Sequence, residues 1–144
     1  MIVYFDSSAL VKRYLAEPDT EQVNGLLAQA TLSGTSLITR AEVSAAIAKA
    51  ARLNWFPREA ATRAVRAFRL QWPSLVGIEV SEAVIIEADK LAWEYQLRGY
   101  DAVHLASAWL WQEGLGEIVT VATFDQALWS AAKQAGLEVW PKAL

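Results

Sequence analysis

Four carboxylates in this 144-residue chain stand where side chains can do chemistry: Asp6, Glu42, Asp101 and Asp125. Asp6 ends the apolar run Ile2-Val3-Tyr4-Phe5, which is β-branched and aromatic and too short for a helix. Such a run reads as a strand covered on both faces, in the middle of a parallel sheet. Asp125 follows a similar run, Glu42 lies one turn into the helix after another, and Asp101 starts a helix after the Gly99-Tyr100 turn. Taken singly, each has an ordinary explanation. Asp6, Asp101 and Asp125 suit helix N-caps, and Thr39-x-x-Glu42 matches a capping box. Taken together, they point elsewhere. The carboxyl ends of parallel strands share one edge, so topology drives Asp6, Glu42 and Asp125 to one rim, and Gly99 permits Asp101 to join them. Carboxylates gathered there raise one another's pKa unless a cation neutralises them. With no Cys and a single His, any metal must be held by oxygen, which points to Mg²⁺, Mn²⁺ or Ca²⁺.

The elements that must position these acids alternate along the chain. Strands are expected at residues 2–5, 34–38, 75–80, 118–122 and 137–140. Helices are expected from Ser7 or Ser8 to about Glu17, where Pro18 ends the first, and from a Thr20 cap over 21–30, with Val23, Leu26 and Leu27 facing inward. Further helices are expected at 41–53, from Pro57 to about Gln71, from a Ser81-Glu82 cap to Arg98 (Val84, Leu91 and Tyr95 inward), at 101–113, and from Asp125 until Gly136. With no composition break or repeat, residues 1–144 read as one α/β domain. Its fold class is a three-layer α/β/α arrangement, a mostly parallel five-stranded sheet with helices on both faces.

Composition sets bounds. The 54% hydrophobic content is ample for one core and the 20% charged content argues against disorder. The first apolar run meets Asp6 too soon for a signal peptide, and no stretch approaches the ~20 apolar residues of a membrane span. The expectation is a soluble cytoplasmic protein. Net charge is −3, yet Arg40, Lys49, Arg52, Arg58, Arg63, Arg66 and Arg69 share the stretch 40–69 with only Glu42 and Glu59. Such asymmetry fits either a footprint for a polyanion or a solvated helix face. Arg63, Arg66 and Arg69, at three-residue spacing, read as roughly one side of a helix. With Arg40, Lys49 and Arg52 they are the residues expected to hold a nucleic-acid backbone. Of the seven Trp residues, Trp93, Trp109 and Trp111 lie in apolar helical runs and are expected in the core or in a dimer interface.

Asp6-Ser7-Ser8-Ala9-Leu10-Val11-Lys12, the Glu42 helix, Tyr100-Asp101-Ala102-Val103-His104-Leu105-Ala106-Ser107-Ala108 and Thr123-Phe124-Asp125 together resemble the PIN-domain ribonucleases, and among them the toxins of VapBC toxin–antitoxin systems. The resemblance spans essentially the whole chain. It implies that Asp6, Glu42, Asp101 and Asp125 bind Mg²⁺ or Mn²⁺, with Asp6 and Asp101 as principal ligands. Supporting roles around the metal fall to Ser7 and Thr123. His104, one turn beyond Asp101 in an apolar helix, reads as a packing or supporting residue rather than a general base. The implied activity is endonucleolytic RNA hydrolysis by metal-activated water, leaving 3′-hydroxyl and 5′-phosphate ends. A homodimer is also implied, as is a VapB-like antitoxin that occupies the acidic groove.

Two other readings compete. One is a PIN-type nuclease for RNA maturation without an antitoxin. The other, from a different class, is a phospho-accepting signalling or binding module built on Asp6. It lacks the paired acids near strand one, and the only lysine after the last expected strand is Lys142, behind Pro141.

Overall fold

Strand β1 (Ile2–Phe5) is buried along its whole length and hydrogen-bonded on both sides. The computed structural model describes Met1–Leu144. Around β1 lie β2 (Leu32–Ser36), β3 (Val76–Ile78), β4 (Val119–Ala122) and β5 (Glu138–Trp140), in the order β3-β2-β1-β4-β5. Every pairing is parallel, so the sheet is wholly rather than mostly parallel.

The alternation of side chains along β1 feeds two cores. Ile2 and Tyr4 point into one, with Val119 and Val121 of β4. That layer is completed by α5 (Glu82–Tyr95), α6 (Gly99–Leu115) and α7 (Gln126–Gln134). Val3 and Phe5 point into the other, covered by α1 (Ser7–Leu10), α2 (Thr20–Gln29), α3 (Thr39–Arg52) and α4 (Arg58–Gln71). Phe5 is fully buried, which contributes roughly 1.5–3 kcal/mol relative to exposure. Because both faces are filled, β1 cannot slip, and the place where it ends is fixed.

Several element ends differ from the sequence reading. The first helix stops at Leu10 and tightens into a 3₁₀ turn, Val11–Arg13, instead of running to Glu17. There Thr20 Oγ1 donates to the Lys12 carbonyl (2.7 Å) and accepts from Glu17 N (3.0 Å), folding 14–19 back as a loop. Asp19, in a left-handed conformation, holds the N-cap position of α2 expected of Thr20. β2 lies two residues earlier than expected because Thr31 N donates to Met1 O, and Leu37-Ile38 lead into α3. β3 covers only Val76–Ile78, an edge strand with little to bury. The helix expected to reach Arg98 ends at Tyr95, closed by Gln96 at φ 55°. That early stop makes Arg98 the residue flanking α6. Trp93 is 90% exposed and is no part of the core, whereas Trp109 and Trp111 are packed against it.

Gly34 of β2 marks a close approach: a Cβ there would fall 2.5 Å from the Trp111 ring. Overpacking of this kind typically costs about 1–3 kcal/mol. Gly34→Ala should therefore lower the urea midpoint, and adding Trp111→Leu should restore most of the loss. Equal midpoints for Gly34→Ala and the native chain would show that the ring moves freely.

Candidate active site

Asp6 follows directly from the end of β1. Its backbone N–H donates to Ala122 O (3.1 Å), which carries the ladder one step past the strand. Its side chain then caps α1, with Oδ1 accepting from Ala9 N at 2.9 Å. Ser8 Oγ donates to the same carboxylate (2.8 and 2.9 Å), and Thr123 Oγ1 donates to Oδ2 (2.8 Å). Thr123 Oγ1 in turn accepts from Asp125 N (3.0 Å), and Ser8 Oγ from Phe124 N (2.8 Å). The ends of β1 and β4 are thereby cross-tied by two hydroxyls. Thr123 has the supporting place expected of it. The hydroxyl that contacts Asp6 on the β1 side is that of Ser8; Ser7 lines the cavity instead.

Burial raises the Asp6 carboxyl above its ordinary pKa, against the opposing pull of His104 and of these donors. Capping and site roles are not exclusive for this residue. The same holds for Asp125, whose Oδ1 accepts from Leu128 N (2.9 Å) at the start of α7 while Oδ2 meets Arg98 Nη2 (3.1 Å).

The two other acids are not caps. α6 begins at Gly99, so Asp101 lies inside its first turn and receives Arg98 Nε at 3.0 Å. The capping box is also absent: Ile38 holds the N-cap position of α3 without a side-chain bond. Thr39 Oγ1 pairs with Thr35 Oγ1 (2.8 Å), and Glu42 Oε1 meets His104 Nε2 (2.6 Å). His104 is almost fully buried, with Nδ1 2.8 Å from Tyr4 Oη. Both ring nitrogens are engaged, which supports the positioning reading over a free base.

Asp6, Glu42, Asp101 and Asp125 line one cavity of about 300 Å³, with Ser7, Ser8, Arg98, Tyr100 and His104. Sequence reasoning missed Arg98, Tyr4 and Tyr100. Arg98 carried a readable signal, three residues before Asp101 and within reach on one helical face. Tyr4 carried none, since its hydroxyl is hidden in an apolar strand. The guanidinium of Arg98 is raised in pKa first by the hydrogen bond to Asp101, then by the charges of Asp101 and Asp125.

The basic residues do not line this cavity. Arg52, Arg58 and Arg69 border a groove of about 760 Å³ between α3 and α4. Arg63 lies beside a different hollow, with Arg13, Tyr14 and Phe56. Three-residue steps turn by ~60° each, so two steps spread the expected stripe over ~120° of α4. Arg40 sits over the Trp72 ring and Lys49 over that of Trp55 (both 5.7 Å), and Arg66 is exposed.

By donor type the acids fit a hard divalent ion: all are carboxylate oxygens, and Asp101 and Asp125 already share one cation, the Arg98 fork. No three of the acidic and imidazole side chains close around a single point as they stand. Two of the four acids, Asp101 and Asp125, are already engaged by Arg98.

Comparison with known proteins gives the family. The family model for the PIN domain matches residues 3–134. Ribonuclease VapC45 of Mycobacterium tuberculosis (strain CDC 1551 / Oshkosh) and Ribonuclease VapC49 of strain H37Rv are each 35% identical, over 99% of this chain and 97% of theirs. The crystal structure of VapBC2 from Rickettsia felis, bound to a promoter DNA fragment, superposes at a TM-score of 0.63 with 18% identity. It covers 96% of this chain and 97% of that one. No helix is long and apolar enough to cross a membrane.

The raised Asp6 pKa has a consequence for stability. A carboxyl that binds its proton more tightly when folded contributes stability that is complete below its unfolded pKa of about 3.9. That contribution is lost as pH rises through the folded pKa. In EDTA, urea melts between pH 4 and 7 should show the native chain losing stability relative to Asp6→Asn. Parallel curves would mean that Asp6 titrates like an exposed carboxyl.

Proposed function

The chain belongs to the PIN-domain family as one of its VapC ribonuclease toxins, and on that premise we propose that Asp6, Glu42, Asp101 and Asp125 hold the divalent ion, Mg²⁺ or Mn²⁺, with which it cleaves RNA. The observation that carries this is the convergence of four carboxylates on one polar cavity at the carboxyl edge of the sheet. When bound, the ion supplies positive charge against the phosphoryl oxygens and lowers the pKa of the attacking water.

The chain's own side chains keep that site in order. Ser8, Thr123 and Ala9 N fix the carboxylate of Asp6, and the α7 cap fixes that of Asp125. The Arg98 side chain is 77% exposed at the cavity, where its planar fork suits paired phosphate oxygens. Arg40, Lys49, Arg52, Arg63, Arg66 and Arg69 serve RNA as a diffuse field over two sides of the α3–α4 pair rather than as a stripe leading into the cavity.

The partner of such a toxin is a VapB-like antitoxin, a reading supported by the VapBC2 likeness and by an acidic cavity that invites a basic side chain. A homodimer belongs to the same reading. Ile85, Ile86 and Trp93 leave α5 with an exposed apolar surface, and Ile85 borders an apolar groove with Val80 and Tyr100.

Cleavage of an RNA pool by the purified chain should require Mn²⁺ or Mg²⁺ and stop in EDTA. Asp6→Asn and Asp101→Asn should each lower it by more than about 100-fold, the upper end for loss of even an outer partner of a metal ligand. Full cleavage in either variant would remove that acid from the site. Changing Arg63, Arg66 and Arg69 to Gln should reduce the slope of log affinity on log salt by about 0.7 for each phosphate of single-stranded RNA that is no longer neutralised. An unchanged slope would assign these arginines to solvent.

A further inference from the structure

A hydrogen-bonded chain runs from the interior of the sheet to one of the four acids. Tyr4, in the middle of β1, is fully buried with its Oη 2.8 Å from His104 Nδ1. The two rings meet edge to face, their centroids 6.0 Å apart. His104, on α6, has Nε2 2.6 Å from Glu42 Oε1 on α3. Resting on the reading that Glu42 serves a metal site, we propose that Tyr4 and His104 are positioning residues, a relay from the core that fixes the direction in which Glu42 presents its carboxylate to the cavity.

With Glu42 ionised and the imidazole neutral, the protons along this chain have one order. An ionised Glu42 only accepts, so Nε2 carries the hydrogen. In the neutral imidazole Nδ1 is then an acceptor, and Tyr4 must donate to it. The ring lies among Ile2, Val119 and Val121, while the hydroxyl also has Ser107 and the Ser36 backbone within hydrogen-bonding reach.

Glu42 is also the acid that needs such help. Asp6 and Asp125 are held by the helices they cap, and Asp101 by Arg98. Glu42 has one more rotatable bond than any of these and caps nothing. Unheld, it would lose that freedom each time an ion bound. The relay engages Oε1 alone, so Oε2 takes no bond from the protein and stays available at the cavity. A partner that orients a metal ligand through its far side does the same work in other metal sites.

The chain contains a single histidine, so one imidazole pair reports the arrangement without ambiguity. In metal-free, ¹⁵N-labelled protein at neutral pH, long-range ¹H–¹⁵N correlation should show the Nε2–H tautomer, and Tyr4→Phe should shift it toward a mixture. Calorimetric Mn²⁺ affinity should fall about 10- to 100-fold in Tyr4→Phe and in His104→Leu. His104→Gln, whose amide N–H reaches the Nε2 position, should recover it. An Nδ1–H tautomer or an imidazolium in the native chain would overturn the relay, as would undiminished Mn²⁺ affinity in Tyr4→Phe. Asp101→Asn, titrated alongside, separates the two claims. If it binds Mn²⁺ like the native chain, the metal reading fails; if it loses Mn²⁺ while Tyr4→Phe keeps it, only the relay fails.

Discussion

A carboxylate held out of water at the end of a central strand is the constraint on which the rest of this structure depends. Asp6 is 3% exposed, and a buried charge is tolerated only when it is hydrogen-bonded or neutralised. The chain meets that demand locally: the first turn of α1 gives a backbone donor, and Ser8 and Thr123 give hydroxyls. Because Thr123 follows β4 and also receives Asp125 N, the same bonds that satisfy Asp6 set where α7 begins. Satisfying one buried group thus fixes the geometry of two strand ends.

Gathering further acids at that rim raises a second problem. Two unit charges ~5 Å apart repel by about 3 kcal/mol at an effective dielectric of 20, so four cannot share a cavity without compensation. Without a metal, the compensation is partial and asymmetric. Only Arg98 brings a fixed positive charge, to Asp101 and Asp125; Glu42 meets the His104 ring, and Asp6 takes hydroxyl and backbone donors. Arg98 has its polar contacts from an exposed position at the cavity mouth, the less costly place from which to yield. Every one of the four acids thus has at least one polar partner within the chain.

How much of this was legible in the sequence follows from which signals are local. The strand Ile2–Phe5 and its abrupt end at Asp6 were readable because a doubly covered strand must be apolar throughout. The shared rim of Asp6, Glu42 and Asp125 was readable because parallel topology imposes it; Asp101 follows a helix, and its place there depended on the turn at Gly99. The individual caps were harder. Asp6 and Asp125 do cap, but Asp101 and Glu42 do not, since α6 starts two residues before Asp101 and α3 begins without a side-chain cap. The stop of α5 at Gln96 was not legible: no Gly or Pro stands there, only a left-handed backbone at a residue type that gives no sign of it. That miss concealed Arg98. Tyr4 was concealed because its hydroxyl is a tertiary feature within an apolar pattern. The arginine stripe failed through arithmetic, as a three-residue step drifts around a 3.6-residue helix.

The most direct test of the account is a crystal of the native chain soaked in Mn²⁺ and measured for anomalous scattering. The account predicts a peak in the cavity bounded by Asp6, Glu42, Asp101 and Asp125, with the Arg98 guanidinium withdrawn from at least one of its two acids. A soaked crystal with no peak there, and Arg98 still bridging Asp101 and Asp125, would contradict it.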